Sequence, residues 1–287
     1  MMVSKELHFT RAAEKLNIAQ PTLSQQIKIL EDEVGIPLFD RIGKKISLTE
    51  AGKILLKHCQ QVFFEIEQAQ AALRDLNGLQ RGKLTIGSLL TCTNYLLPPA
   101  IIKFKQLYPN IELSVLGLRA VDIKKGLLEN ELDLGITFLP SDEAEFESIP
   151  LFTEGLSLAI PVHHPLAKEK EMEMKSLEQI SMILMPKSYY IRQLVDSYVK
   201  ELGIELKPVM EMSTLDALTQ MVEAGLGATI LPAPYLDFIK NDKIAKVKLV
   251  HPTPKRKIGF VYRKNKFMCT TTKTFIHQVT KTSNSIQ

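Results

Sequence analysis

The stretch FTRAAEKLNIAQPTLSQQIKILEDEVG, Phe9 to Gly35, holds two short amphipathic segments around a tight turn, and it leaves the chain few ways to fold. Thr10 stands at the expected N-cap, Arg-Ala-Ala-Glu-Lys-Leu reads as a first helix, and Asn17 can take the left-handed conformation that ends it. Gln20-Pro21 restarts the chain, because proline fits the first turn of a helix. Leu23, Ile27, Leu30 and Val34 then recur at spacings of four and three, which predicts a buried stripe that Gly35 and Pro37 terminate. Two helices joined this closely cross steeply, as in a helix-turn-helix.

Gln20, Thr22, Ser24, Gln25 and Lys28 lie off that stripe and so face outward. Glutamine can bridge adenine N6 and N7 in the major groove, serine and threonine serve base edge or phosphate, and lysine binds phosphate or guanine. The following PLFDRIGKKISLTEAG reads as a hairpin, with Leu38-Phe39 and Ile46-Ser47-Leu48 flanking the tip Ile42-Gly43-Lys44-Lys45. Its cations can reach a phosphate backbone. The expected DNA-facing set is Thr10, Arg11, Gln20, Pro21, Thr22, Ser24, Gln25, Lys28, Arg41, Lys44 and Lys45.

Thr49 caps a long helix along which Leu55, Cys59, Val62, Ile66, Ala69, Leu73 and Leu76 alternate at four and three. That is a heptad seam, which favours self-association over a helix lying on its own core. Residues 1–48 are thus expected to form a winged helix-turn-helix and 49–81 a dimerising linker helix. Asn77-Gly78 and Arg81-Gly82 then introduce a different pattern.

Strand-like runs now alternate with helical ones. Leu84-Thr85-Ile86-Gly87, Ile111 to Leu116, Leu132 to Thr137, Leu156 to Ile160, Ile180 to Met185, Val209 to Met212 and Ala228 to Leu231 read as strands. Helices are expected over Pro99 to Tyr108, Asp122 to Asn130, Tyr190 to Leu202 and Leu215 to Ala224. The pattern predicts an α/β domain over 82–280 whose sheet is parallel with both faces covered. Its size suits two lobes cut near Ile160-Pro161-Val162-His163-His164-Pro165. Lobe I is expected over 82–160 plus about 258–280, since Ile258 to Tyr262 resembles a returning strand, and lobe II over 161–257.

With 45% hydrophobic residues the chain can bury sizeable cores, yet it has no run approaching the roughly 20 apolar residues that span a bilayer. No secretory layout opens it, so a cytoplasmic, membrane-free protein is expected. Cys59, Cys92 and Cys269 are scattered, unlike a disulfide framework or metal site, and are read as reduced packing residues. Cys92 near a helix start could instead be an activated thiol. His163 and His164 are adjacent on an extended segment and point apart, so no metal is expected there. From Lys240 onward twelve Lys or Arg face the single acid Asp242, which reads as solvated edge strands and a surface helix or as a nucleic-acid patch. No dinucleotide, P-loop or nucleophile-elbow motif is present, which argues against an enzyme and gives no cofactor. The alternative is a cytoplasmic small-molecule-binding protein or an α/β enzyme that does not bind DNA.

FTRAAEKLNIAQPTLSQQIKILEDEVGIPLFDR followed by ISLTEAG closely resembles the DNA-binding region of LysR-type transcriptional regulators. ELDLGI from Glu131 and MVEAGLGATILP from Met221 resemble their effector domain, so the likeness covers nearly the whole chain. It implies a winged helix-turn-helix, a dimerising linker helix and a two-lobed, periplasmic-binding-protein-like (Rossmann-like) domain for a small coinducer. Double-stranded promoter DNA, the coinducer and a homodimer or homotetramer are the implied partners, and RNA polymerase is a further one the resemblance admits. Family members usually carry roughly ten further residues before Val3, in a helix that buttresses the recognition helix. The expectation is a start inside the gene or a thinned DNA-binding core.

Ligands of such sheets collect beyond the strand ends, where helix N-termini offer free N–H groups. Ser88, Thr91 and Thr93 follow the first strand, Thr137 ends another, and Ser188 and Thr214 sit at matching ends in the second lobe. Arg119, in the loop after the second strand, adds a positive charge. The resemblance places the coinducer between the lobes at these positions, with Thr91 the best match, and the donors favour a small anion.

Overall fold

The computed structural model describes residues 1–42, 45–75, 82–140 and 143–284. It divides into two compact units, Met1–Leu73 and Arg74–Gln287.

In the first unit α1 (Met2–Glu6), α2 (Phe9–Lys15) and α3 (Gln20–Val34) precede a hairpin of β1 (Phe39–Ile42) and β2 (Lys45–Leu48), and α4 (Glu50–Asp75) follows. Asn17, at φ 54, makes the left-handed turn after α2, and Gly35, at φ 77, ends α3. Thr10 is not the cap. His8 holds that position, its Nδ1 accepting from the Arg11 N–H, and Thr10 lies inside the helix. Val3, Phe9, Ala12, Ala13, Leu23, Leu38 and Phe39 form the buried centre, with Ile27 and Leu55 against it. The α3 stripe is only half buried: Leu30 and Val34 are 37% and 44% exposed, because the small core of this unit reaches only the first half of the helix. Glu31 ties that helix to the hairpin by accepting from the N–H groups of Leu38 (2.8 Å) and Phe39 (3.0 Å). Thr49 does cap α4, accepting from the Gly52 N–H while donating to the Pro37 carbonyl. Along α4, Val62, Ile66 and Leu73 are exposed. The expected seam residue Leu76 and the turn Asn77-Gly78 to Arg81 lie outside the described residues.

The second unit begins with β3 (Gly82–Leu89), α5 (Leu90–Tyr95), α6 (Leu97–Leu107), β4 (Ile111–Leu118), α7 (Ala120–Leu128) and β5 (Leu134–Leu139). β6 (Phe146–Pro161), β7 (Glu171–Glu173), β8 (Met182–Leu184), α8 (Tyr190–Glu201) and β9 (Pro208–Glu211) follow. The chain ends with α9 (Leu215–Glu223), β10 (Thr229–Pro232), α10 (Ala233–Ile239), β11 (Ile244–Val250), β12 (Lys255–Arg263) and α11 (Thr270–Ser283). The helix expected over Pro99 to Tyr108 is α6, which begins two residues earlier, and the short α5 precedes it.

The sheet is mixed, not parallel. β3 runs parallel to β4 and β5, but β12 pairs antiparallel with β5 and β6, and β10 and β11 pair antiparallel with β6. β6 carries β12 along Phe146 to Gly155 and β10 with β11 along Leu156 to Pro161, so one strand serves two sets of partners. The expected cut after Ile160 falls at the end of this strand, whose last residue is Pro161, while its partners change earlier, between Gly155 and Leu156. Glu147, Ser148, Pro150 and Thr153 interrupt the apolar pattern and hide the first half of that strand. The basic stretch is not at an edge either: β12 lies between β5 and β6, and β11 between β6 and β7. Leu84, Ile86, Ile136 and Phe260 are fully buried in the first set, and Phe104 of α6 meets Phe275 of α11 edge-on at 5.4 Å.

Candidate functional site

The candidate nucleic-acid surface of the first unit lies on α2 and α3. Burying Phe9, Ala12, Ala13 and Leu23 turns Thr10, Arg11, Gln20, Pro21, Thr22, Gln25 and Lys28 to solvent, while Ser24 is half buried. Arg11 is braced by the Glu6 carbonyl at 2.9 Å, and Gln20 donates to the Ser24 hydroxyl at 2.8 Å. The backbone pairs Arg41 with Ile46 and Lys45 with Ile42, which fixes the hairpin register. Lys44 lies outside the described residues. The outward face of α3 thus offers amide, hydroxyl and ammonium groups with no ion pair to Gln25 or Lys28 among the described residues.

In the second unit β3, β4 and β5 all end at one edge of the sheet, at Leu89, Leu118 and Leu139. A cavity of about 400 Å³ opens there. Leu89, Leu90 and Thr91 enter it from the first strand end, Leu118 to Val121 from the second and Phe138 from the third. Met185, Ser188 to Ile191 and Gln193 close it from the β8–α8 side. The remaining wall is Arg256, near the start of β12.

Arg256 and Glu154 form an ion pair with both side chains 1% exposed, facing each other in the β12–β6 register. Burial is the largest single influence and works against the guanidinium charge, but Glu154, Cys92 and Tyr95 together outweigh it and hold the Arg256 pKa above its ordinary value. Arg256 Nη2 also donates to Thr91 Oγ1 at 2.8 Å, and Tyr95 donates its hydroxyl to Glu154 at 2.5 Å. Phe138 lies 5.2 Å from the guanidinium carbon and stacks face to face on Tyr190, centroids 3.7 Å apart at 20°. Arg119 also lines the cavity, but its guanidinium is bidentate on Asp122 at 2.7 and 3.1 Å, a bond and charge that raise its pKa.

Of the expected effector residues, Thr91, Arg119 and Ser188 line the cavity. The other four do not. Ser88 is buried and donates to the Leu89 carbonyl, Thr93 to the same oxygen at 3.0 Å, and Thr137 is fully buried with a hydroxyl that finds no partner among the described residues. Thr214 is an exposed cap of α9, its hydroxyl accepting from Ala217 N–H at 3.4 Å. Arg256 was hidden among the lysines of the basic stretch. The signal was its phase: Lys255 and Lys257 are exposed, whereas Arg256 shares the buried side with Ile258. Cys92 proves a packing residue, fully buried, its thiol pushed up to about 12 by burial and by the Glu154 charge. His164 caps a short turn by accepting from Leu166 N–H, and no cluster able to hold a metal occurs among the described residues.

Residues 77–283 match the LysR substrate binding domain, and residues 1–53 match the bacterial regulatory helix-turn-helix protein, lysR family. The chain belongs to the LysR family of transcriptional regulators. It is 32% identical over 265 residues to the uncharacterized HTH-type transcriptional regulator YbhD of Escherichia coli K12, covering 92% of this chain and 84% of that one. The DNA-binding transcriptional dual regulator OxyR of the same strain is 31% identical over 262 residues, or 91% of this chain and 86% of OxyR. A full-length OxyR variant from Pseudomonas aeruginosa superposes with a TM-score of 0.74 at 26% identity, covering 99% of this chain and 91% of that one. This LysR-family chain is therefore a DNA-binding regulator with an effector-binding domain, not an enzyme. Among the described residues no helix is long and apolar enough to cross a membrane.

Proposed function

We propose that this regulator reads an operator in the cytoplasm with α3, Gln25 contacting base edges and Lys28, Arg41 and Lys44 holding phosphate. Its α4 seam pairs two copies, and a small anionic coinducer in the strand-end cavity sets the transcriptional output. The observation that carries the effector reading is the convergence of Thr91, Ser188 and Arg256 on one cavity from three separate elements. The uncapped N-termini of α7 and α8 open beside them and favour negative charge.

The test begins with an operator selected from random duplexes by the intact protein. Small carboxylates are then screened for thermal stabilisation, and a hit is carried into a transcription assay on that operator. Thr91→Val should lose both the stabilisation and the response while still retarding the operator; a variant that responds at the same ligand concentration places the coinducer elsewhere. Gln25→Ala should relax preference at one base position by about 1–3 kcal/mol, whereas Lys28→Ala should weaken all sequences and flatten the salt slope.

A further inference from the structure

The walls of the cavity specify more than an anion. Both guanidiniums that face it are already satisfied, Arg256 by Glu154 and Arg119 by Asp122, so the side chains supply no uncompensated positive charge. What remains is the N-terminal ends of α7 and α8, worth roughly half a charge each, enough to balance about one negative group. A second anionic group would meet no further uncompensated positive charge from the lining. Besides the polar groups of Thr91, Ser188 and Gln193, the lining is mostly apolar, with Leu89, Leu90, Leu118, Val121 and Met185 around an aromatic layer. In that layer Phe138 meets the Arg256 guanidinium at 5.2 Å and stacks on Tyr190. Tyr190, still 37% exposed, has one face on Phe138 and lines the cavity. A flat π system extends such a stack; a saturated ring of the same size cannot.

The geometry points to a planar aromatic ring bearing a single negative charge as the coinducer class, with Tyr190 and Phe138 selecting for planarity. This rests on the assignment of the cavity as the coinducer site. The probes are benzoate, cyclohexanecarboxylate (same charge, not flat), phthalate (flat, two charges) and citrate, added to the intact protein and followed by calorimetry.

Benzoate should bind roughly three- to tenfold more tightly than cyclohexanecarboxylate, the range that an aromatic contact supplies, and more tightly than phthalate. Tyr190→Leu, at a half-exposed position that tolerates the change, should bring the benzoate and cyclohexanecarboxylate affinities together; Phe138→Leu should do the same if it folds. Equal affinities in the unmutated protein, a preference for phthalate, or no benzoate binding at millimolar concentration each overturns the inference. Citrate binding that Thr91→Val removes would overturn the ring and the single charge while leaving the anion-switched regulator intact.

Discussion

Removing Glu154 isolates the energetics of the cavity floor. Its side chain and that of Arg256 are each 1% exposed, so Glu154→Leu leaves a guanidinium buried with only the Thr91 hydroxyl and the Phe138 ring for company. Breaking a buried pair in this way costs about 3–5 kcal/mol, because the surviving charge loses its partner and gains no water. For a unit of about 200 residues each kcal/mol moves the melting temperature by about 2–4 °C, so calorimetry should show a drop of roughly 6–20 °C. Replacing both partners, Glu154→Leu with Arg256→Met, should recover most of that loss, since an apolar pair of similar volume is often neutral or better. Glu112→Ala provides the contrast: its partner Lys83 is 3.1 Å away, but both side chains are about two-thirds exposed and the loss should stay below about 1 kcal/mol. If Glu154→Leu costs no more than Glu112→Ala, or the double variant is as unstable as the two single variants combined, the pair is not the buried, mutually dependent element described.

In the first unit, a Cβ at Gly52 would fall on the Leu38 carbonyl oxygen, so Gly52→Ala should destabilise the helix-turn-helix despite alanine's better helix propensity; denaturation showing a gain instead would contradict the close α4–hairpin approach. Ile66→Glu, on the exposed side of α4, should give monomers by sedimentation at micromolar concentration with the second unit still folded, and a surviving dimer would remove the seam from the interface. Cys92 should resist thiol reagents at pH 8 until the chain unfolds. Its raised pKa means the stability it contributes is complete below about 9 and declines as pH rises toward about 12, the direction that a Cys92→Ala comparison across that range would check.

The helix-turn-helix was legible because its signals are local: a left-handed Asn17, Pro21 at a helix start and Gly35 at its end are all read within a few residues of one another. What local pattern could not show was how far a small core reaches, hence the exposure of Leu30 and Val34. In the second unit the short parallel strands could be read from their apolar runs, and the cavity at their ends followed from that. Its chemistry did not. Arg256 and Glu154 are 102 positions apart, and only the β12–β6 register brings them together. Arg119 stood where expected, yet its charge is spent on Asp122, three residues along, a local contact the sequence did offer. Hydroxyls at strand ends proved to be mostly backbone partners, as with Thr93 and Thr214, since satisfying a nearby carbonyl or N–H is their commonest use.

β6 passes from one set of neighbours to the other without a break, and this restricts how the two sets of strands can move. β6 is laddered to β12 alone over Phe146 to Gly155 and to β10 and β11 from Leu156 to Pro161, so a change of angle between the two sets falls on β6 around Gly155 and Leu156, where its partners change. Glu154 immediately precedes that point and Arg256 faces it across the ladder, so the buried charge pair beside the cavity sits where the strand changes partners. The strand that joins the two sets is also where any change between them must be taken up.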